Sequence, residues 1–451
     1  MLRLGYNEQQ LKAKGALWTA REIGQQPEVL LATDRIVAEM KDRIAAFANP
    51  YLANPLARII LTGAGTSAFI GECLAPFLDA QVAARVEAVA TTDIVSSPFV
   101  YLRKDVPTLL VSFGRSGNSP ESKGAIEIAD ELVADVSHLV ITCNADGAIA
   151  APGKDNRLTV LLPEAAHDQS FAMTSSFTSM MYAAWAALSP EPADPARIAE
   201  GCTSLLQTIV PMMQRLAEAR FDRVVYLGSG PFKGLAREAA LKLMELTDGK
   251  ILTSYDSPLG FRHGPKAMVN DRTMVMLFMS NDPLTRAYDM DLRAELIADG
   301  TAAQIVTLSA LDDIDDAILV PGMALQQHFC LVSSVSPKIS VQQVNHCPKV
   351  APFFYINLKQ ISHVVETRSR LPQKTLLLYR GRLGIALGYD EPAQSIAVLA
   401  RHGLPCVFTI IIAETNFSVR NGIGQKNTPS IFGHLHIIEV SPAFLFYTDC
   451  S

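Results

Sequence analysis

The sequence predicts an α/β protein built from two parallel sheets, each lying between helices. Short apolar runs alternate with stretches of helical spacing, and glycine-rich turns join several of these runs to the helices. The pattern begins again after a proline-rich stretch at 189–195. Such alternation is typical of parallel sheets covered on both faces. Because ligands of these sheets bind at the carboxyl ends of the strands, the turns found there are candidate sites.

The first part of the chain is predicted to contain a helical segment followed by one sheet. Residues 1–56 have a helical pattern, clearest over 21–47, where apolar residues recur every three or four positions. The elements that we predict after this segment are strands over 58–61, 86–90, 108–113, 137–143 and 159–162, and helices over 68–78 and about 120–134.

A second unit of the same kind follows the proline-rich stretch. Gly228-Ser229-Gly230 comes after a short strand, as Gly63-Ala64-Gly65 does, which indicates internal duplication of one α/β unit. Its predicted elements are helices over about 196–219 and 233–248, and strands over 223–227, 274–279 and 304–308. We therefore predict a helical segment at 1–50, domains at 51–195 and 196–330, and an atypical tail at 331–451.

The composition limits the class of protein. The 451 residues include 39 Lys and Arg against 45 Asp and Glu, a formal net charge of −6, and 49% are apolar. The apolar content supports a sizeable core and excludes a disordered chain. No excess of positive charge is present to neutralise phosphates, so we expect no nucleic-acid partner.

Signals for export, membrane insertion and metal binding are not found in the sequence. The N-terminus has no apolar signal core, and the longest apolar stretches are too short to cross a bilayer. We therefore expect a cytoplasmic protein with no membrane partner. No C-x-x-C, H-x-x-x-H or H-E-x-x-H motif occurs, so no metal is expected.

Hydroxyl-rich turns lie at three predicted strand ends, at 62–67, 112–122 and about 170–178. A helix N-terminus favours an anion, and hydroxyls add further hydrogen-bond donors. Arg115 adds a charge that can bind phosphate through two hydrogen bonds. Ordinary N-caps are the alternative explanation, but three such turns in one half of the chain favour a phosphate monoester. In the first two turns, the hydroxyl residues that lie where a strand gives way to a helix are Thr66, Ser67, Ser116, Ser119 and Ser122.

Nucleotide-binding motifs fit this sequence less well. The turn at 63–65 lacks the third glycine of G-x-G-x-x-G, because Ala68 and Phe69 occupy that region. No G-x-x-x-x-G-K-[ST] motif occurs either.

A charged stripe lies on an otherwise apolar predicted helix. Glu238, Lys242 and Glu245 follow the spacing i, i+4, i+7, which places them on one side of the helix. A helix that is apolar nearly all round is buried, and enclosed charges have shifted pKa values suited to proton transfer. The alternative is a solvated face with ordinary Glu–Lys pairs. Downstream, His263 in the loop 256–266 can act as an acid or base, although a single loop histidine is more often incidental.

These motifs together resemble the AgaS family of sugar isomerases with two SIS domains. The resemblance rests on 63–69, 112–122, 171–176 and 255–266, and it covers about residues 15–330. It implies two five-stranded, flavodoxin-like parallel sheets between helices. It also implies binding of a sugar phosphate by residues of the three hydroxyl turns, namely Thr66, Ser67, Arg115, Ser116 and Ser119, with Thr174 and Ser175 nearby.

The second domain is also similar to the isomerase domain of glucosamine-6-phosphate synthase. That resemblance implies that Glu245 moves a proton between C1 and C2, and that Lys242 steadies negative charge on the open-chain sugar oxygen. Glu238 would orient Lys242 or contact the substrate. His263 would assist ring opening, in one arrangement from the partner subunit of a homodimer or larger homo-oligomer.

The reaction implied is conversion of galactosamine 6-phosphate to tagatose 6-phosphate and ammonia, with no metal or organic cofactor. Two alternatives stay open. One is ketose/aldose isomerisation without deamination, and the other is a sugar-phosphate sensor that does not catalyse. Such sensors usually carry a DNA-binding helix-turn-helix, and no basic recognition helix is found in 1–56.

The composition changes near residue 330, where the family resemblance ends. Residues 1–330 contain 28 Lys and Arg against 39 Asp and Glu, whereas 331–451 contain 11 against 6 and no Met. The tail has isolated apolar runs, such as 408–413, without clear strand or helix order. An additional domain is one interpretation, and a shifted reading frame or a fusion near residue 330 is the other.

Overall fold

A computed structural model describes residues 3–151, 155–192 and 194–320, and the backbone of five short strands between 375 and 440. The chain divides into two compact units, Met1–Cys347 and Pro348–Ser451. The described part of the first unit has the α/β architecture that the sequence predicts.

Four helices begin the chain, in agreement with the predicted helical segment. The region 21–47 is divided among three of them, because one helix ends at Gly24 and another at Glu39. The side chain of Asn7 accepts a hydrogen bond from the Gln10 N–H and caps the first helix. These helices are α1 (Glu8–Ala13), α2 (Leu17–Gly24), α3 (Gln26–Glu39) and α4 (Lys41–Leu52).

The first sheet contains five parallel strands in the order β2-β1-β3-β4-β5. Its central strand is buried at all seven positions, as a continuous apolar run in a covered parallel sheet requires. The strands are β1 (Arg58–Thr62), β2 (Arg85–Ala88), β3 (Thr108–Gly114), β4 (Val136–Thr142) and β5 (Arg157–Leu161). The helices of this domain are α5 (Thr66–Asp79), α6 (Thr91–Ser96), α7 (Pro98–Tyr101), α8 (Pro120–Leu132) and α9 (Ser175–Leu188).

The second sheet is also parallel, with the order β10-β9-β8-β6-β7. The helix predicted over 196–219 is two helices, since the second begins at Val210 with Pro211 in its first turn. The strands are β6 (Arg223–Gly228), β7 (Leu252–Asp256), β8 (Thr273–Phe278), β9 (Gln304–Ser309) and β10 (Ile318–Leu319). The helices are α10 (Pro195–Thr208), α11 (Val210–Glu218), α12 (Pro231–Leu246), α13 (Pro258–Arg262) and α14 (Pro283–Asp299).

Within each domain the strands follow the flavodoxin-like order 2-1-3-4-5. The strand order reverses between β1 and β3 in the first sheet and between β6 and β8 in the second. Crevices at such reversals are where ligands of open α/β sheets bind. The fold therefore marks the loops after β1 and β3, and those after β6 and β8, as candidate sites.

Helices α5 and α12, which follow the first strand of each sheet, pack directly against each other. Gly234 makes the approach possible, because a Cβ at this position would lie 2.7 Å from the backbone nitrogen of Cys73. Arg237 of α12 forms an ion pair with Glu72 of α5, and its guanidinium lies 4.4 Å from the Phe69 ring centroid. This packing brings the middle of α12, at Glu238, to the first turn of α5.

The second unit contains an antiparallel sheet of five short strands. The run 408–413, for which the sequence indicates no strand order, is the strand β14 and pairs with β15, so that expectation is wrong at this position. A run of β-branched residues favours a strand once a partner is present. The strands are β11 (Thr375–Leu376), β12 (Ile385–Gly388), β13 (Ile396–Leu399), β14 (Phe408–Ala413) and β15 (Leu435–Val440). The rest of the tail lies outside the described residues, so the domain boundaries and the choice between an added domain, a frameshift and a fusion stay predictions.

Across the described residues, none of the helices combines the length and apolarity needed to cross a membrane.

Candidate active site

The turn between β1 and α5 shapes one wall of the crevice. Gly65 has φ +56° and ψ −128°, a conformation that essentially only glycine adopts, and it precedes the first residue of α5. A Cβ at Gly63 would lie 2.6 Å from the backbone of Ser67, so only glycine lets the helix close over the strand end. Both glycines therefore serve to place the first turn of α5 at the switch point.

Thr66 and Ser67 occupy that first turn, and both are buried. The Thr66 hydroxyl lies beside Glu238 and favours the ionised form of that carboxyl, so it lowers its pKa. The structure thus brings a predicted phosphate ligand of the first domain to a predicted catalytic residue of the second.

The charged stripe of α12 is enclosed. Glu238 and Lys242 are each 1% exposed, and the Glu245 side chain is about one-fifth exposed. The Lys242 ammonium lies 2.5 Å from Glu245 Oε2 and 3.6 Å from Glu238 Oε1. A solvated face is therefore excluded for the first two residues, and the third is the member that reaches solvent.

Glu238 has a raised pKa. Burial raises its pKa to about 7, Lys242 opposes this effect, and the negative charge of Glu245 adds to it. In the described part of the chain, neither carboxylate oxygen has a hydrogen bond of normal geometry. A buried carboxyl that titrates near neutrality and has unused acceptors is suited to binding or proton transfer.

The loop after β3 presents a cationic group. Arg115 donates through Nη1 to the carbonyl of Ser170 at 2.9 Å and to that of Phe171 at 3.4 Å. Ser116 is exposed on the same turn. Ser119 is the N-cap of α8, and its hydroxyl accepts the Ser122 N–H at 3.2 Å, so the ordinary capping role applies to this residue.

Thr174 and Ser175 lie at the start of α9, and their donors already have partners. The backbone N–H groups of Thr174 and Ser175 donate to Asp168, which also accepts from Ser176. The hydroxyl of Ser175 donates to the Glu22 carbonyl at 2.7 Å. These two residues hold the turn in place, and a carboxylate of the chain itself occupies the N-terminus of α9.

His263 is exposed and follows the short helix α13, in a region where the sequence predicts only a loop. It makes no hydrogen bond to the α12 stripe in the described part of the chain. Its segment is tied to α14, since Arg262 and Lys266 both form ion pairs with Glu295. The structure therefore brings Thr66, Glu238, Lys242 and Glu245 together, and His263 is not part of that group.

Two buried carboxyls of this region are not predicted from the sequence. Asp168 and Glu22 are 4% and 3% exposed, and their partners lie up to 148 residues away. Neither belongs to a motif of periodic spacing. Asp168 lies seven residues before Ser175, the first residue of α9, so it is not at the N-cap position at which a sequence indicates a capping carboxylate.

Comparison with known proteins agrees with this geometry. The SIS domain family matches residues 52–190. The chain is 47% identical over 312 residues to D-galactosamine-6-phosphate deaminase AgaS of Shewanella sp. (strain ANA-3), covering 67% of this chain and 79% of that protein. It is 45% identical over 329 residues to D-galactosamine-6-phosphate deaminase AgaS of Escherichia coli, covering 70% and 86%.

Solved structures show the same relationship. Tagatose-6-phosphate ketose/aldose isomerase from Escherichia coli matches with a TM-score of 0.69 and 41% identity over 73% of this chain and 93% of that chain. The C-terminal domain of glucosamine-fructose-6-phosphate aminotransferase from Francisella tularensis has a TM-score of 0.59 at 17% identity, over 72% and 95%, and shares the fold. The fold and the α5–α12 site define a protein of the SIS class. Within that class, the chain belongs to the AgaS family.

Proposed function

We propose that this chain is an amino-sugar-phosphate deaminase/isomerase that converts galactosamine 6-phosphate and water to tagatose 6-phosphate and ammonia. The observation that carries the proposal is the enclosed Glu238–Lys242–Glu245 stripe beside the hydroxyl turn of α5. The names of the AgaS relatives support this choice of substrate.

The chemistry needs one base and one stabilising cation. Glu245, the member of the stripe open to solvent, takes the proton from C2 of the open-chain aldehyde and returns it to C1 through an enolamine. Lys242 stabilises the negative charge that develops on the sugar oxygen. The resulting C2 imine takes up water and releases ammonia, leaving the ketone of tagatose 6-phosphate.

The phosphate group is proposed to bind at the loops around α5 and α8. Arg115 supplies charge, and Ser67, Ser116 and the first turn of α5 supply hydrogen-bond donors. Thr66 faces the reacting end of the sugar, because its hydroxyl lies beside Glu238. Thr174 and Ser175 contribute by holding the turn that Arg115 contacts.

His263 is proposed to act from the partner subunit of a homo-oligomer. Its exposure on this chain supports that arrangement. The test is subunit complementation: two inactive variants, Glu245→Gln and His263→Ala, are mixed and allowed to exchange subunits. Recovered activity in the mixture supports a shared site, and none in fully exchanged protein argues against it.

Only the switch point of the first domain is proposed to bind the phosphate of the substrate, although the sequence predicts that the two domains derive from one duplicated unit. At the second switch point, Pro231 and Phe232 stand where α5 has Thr66 and Ser67. Asp289 is fully buried there and accepts hydrogen bonds from the Ser229 hydroxyl at 2.7 Å and the Ser280 N–H at 2.9 Å. A carboxylate in this position repels a phosphate.

The second candidate is ketose/aldose isomerisation without deamination, which the name of the solved Escherichia coli isomerase favours. The two functions differ in one product, so ammonia release from galactosamine 6-phosphate by purified full-length protein separates them. Binding with neither ammonia nor isomer formation would support a sensor instead. The cytoplasmic location stays a prediction from the sequence.

The residue-level test is Glu245→Gln, with the exposed Glu218→Gln on α11 as the matched control. We expect kcat to fall by about a thousandfold or more, since general-base catalysis contributes about 10²–10⁴. Substrate affinity should stay within about threefold, because the substituted carboxyl acts on a carbon-bound proton. Wild-type turnover in Glu245→Gln would falsify the assignment of the base.

A further inference from the structure

The carboxylate of Glu22, on helix α2 of the N-terminal segment, is buried against a loop of the first domain. Glu22 is 3% exposed, and its Oε1 accepts the backbone N–H groups of Gln169 at 2.5 Å and Ser170 at 3.0 Å. Its Oε2 accepts the hydroxyl of Ser170. This residue lies outside the part of the chain matched by the SIS domain family, which begins at residue 52.

Ser170, which donates hydrogen bonds to Glu22, also accepts a hydrogen bond from Arg115. The carbonyl of Ser170 accepts Nη1 of Arg115 at 2.9 Å, and the carbonyl of Phe171 accepts the same atom at 3.4 Å. Within the described residues, Nε and Nη2 of Arg115 make no hydrogen bond. One edge of the guanidinium is therefore fixed by the turn, and the remaining donors stay available for the two-bond contact that arginine makes with phosphate.

The turn is anchored at both ends, so its position depends on these contacts. Asp168 binds the N-terminus of α9, and the Ser175 hydroxyl donates to the backbone carbonyl of Glu22 at 2.7 Å. Gln25 adds a bond from its side chain to the Ala165 carbonyl at 2.7 Å. Burial raises the pKa of Glu22 and the Ser170 hydroxyl opposes this, which marks a carboxylate kept in an unfavourable environment by specific bonds.

We propose that Glu22 is a positioning residue for the phosphate of the substrate: it fixes Ser170, and through Ser170 the guanidinium of Arg115. The inference rests on the proposed function, because it assumes that phosphate binds at Arg115. It assigns the N-terminal helical segment a part in substrate affinity, although that segment supplies no group to the reacting carbons.

The test compares Glu22→Ala, Glu22→Gln, Arg115→Ala and the double variant Glu22→Ala/Arg115→Ala in the full chain. We expect Glu22→Ala to raise KM for galactosamine 6-phosphate about tenfold, the effect of about one charge-assisted hydrogen bond, with kcat within about twofold. The inhibition constant of inorganic phosphate should weaken in the same proportion. Glu22→Gln, which keeps an acceptor for the two N–H groups, should recover most of the affinity.

The double variant gives the decisive comparison. If Glu22 acts through Arg115, adding Glu22→Ala to Arg115→Ala raises KM no further. Unchanged KM in Glu22→Ala, or effects of the two substitutions that simply multiply, would overturn the proposal. Should Glu22→Ala fail to fold, Glu22→Asp takes its place in the single and the double variant, because the shorter side chain withdraws the carboxylate from Ser170. A loss of affinity in Glu22→Asp that persists in the Arg115→Ala background overturns the proposal.

A matched control separates positioning from general loosening. The Tyr182 hydroxyl donates to Asp34 Oδ1 at 2.6 Å and also joins the N-terminal helices to α9 across 148 residues. Tyr182→Phe removes this bond without touching the turn, so it should lower stability and leave KM unchanged. An equal rise in KM in Tyr182→Phe refutes the proposal. Unchanged KM in Arg115→Ala refutes the phosphate site at Arg115, and the proposal about Glu22 with it. Absence of ammonia release by the wild-type protein is the separate result that refutes the proposed function.

Discussion

Replacing Glu238 by Gln should remove much of the pH dependence of stability between about pH 5.5 and pH 8. The carboxyl is fully buried on α12, and its pKa is raised from 4.5 to about 7. The folded state thus binds a proton that the unfolded state has lost over this range. The stability due to this group is fully present below the unfolded pKa and is lost as the pH rises through the folded pKa.

The magnitude follows from the displacement of the pKa of Glu238. At about 1.4 kcal/mol for each pH unit, the raised pKa corresponds to about 3 kcal/mol of unfolding free energy. About 2 kcal/mol of this falls between about pH 5.5 and pH 8, because part of the range lies outside the two pKa values. Glutamine is neutral throughout, so Glu238→Gln should gain about 2 kcal/mol over the wild type as the pH rises.

Urea unfolding at a series of pH values measures this difference directly. The quantity to plot is the free energy of unfolding of the variant minus that of the wild type, which cancels titration of all other groups. A difference that stays flat from about pH 5.5 to pH 8 would show that Glu238 titrates normally and would refute the reasoning.

Three further substitutions test the packing that builds the site. Gly234→Val should lower the free energy of unfolding by about 2–3 kcal/mol, because a Cβ at this position meets the Cys73 backbone at 2.7 Å. The clash also separates α12 from α5, so kcat should fall. A urea midpoint equal to that of the wild type would contradict this. Asp168→Ala should cost about 3 kcal/mol by leaving the N–H groups of α9 without acceptors, with Asp168→Asn milder, and thermal melts compare the two. Gly65→Ala should lower the free energy of unfolding by about 1–3 kcal/mol, because alanine is strained at φ +56°. It should also lower kcat by moving Thr66. Full activity would argue that the turn tolerates a side chain.

Much of the fold is readable from the sequence because its signals are local. Buried parallel strands such as β3 are continuous apolar runs, and β1, β3 and β6 are each followed by a turn that contains glycine and then by a helix. The sequence does not indicate β7, because its residues are exposed or half-buried at an edge of the second sheet and form no continuous apolar run. The division of 196–219 at Pro211 was also missed, although proline early in a helix is a start signal.

The candidate site is predicted in the same partial way. The spacing of Glu238, Lys242 and Glu245 indicates one stripe on one helix. The structure confirms one charged group, in which Glu238 and Lys242 are buried and Glu245 reaches solvent. The spacing cannot show that Thr66 of another domain lies beside Glu238. The hydroxyls of Thr174 and Ser175 look like phosphate ligands in the sequence, yet they are bonded to Asp168 and Glu22.

The sequence by itself determined the α/β class, the two sheets, the family and the charged stripe, because each depends on a pattern of residues that lie close together in the chain. The tertiary structure alone decided which strand ends meet, which hydroxyls are free and which carboxylates are buried. Those properties arise from contacts such as Glu22 with Ser170, which join residues 148 positions apart. The periodicity of a sequence does not report contacts between residues so far apart in the chain. Burial and hydrogen bonding depend on the residues that pack against a side chain as much as on the side chain itself.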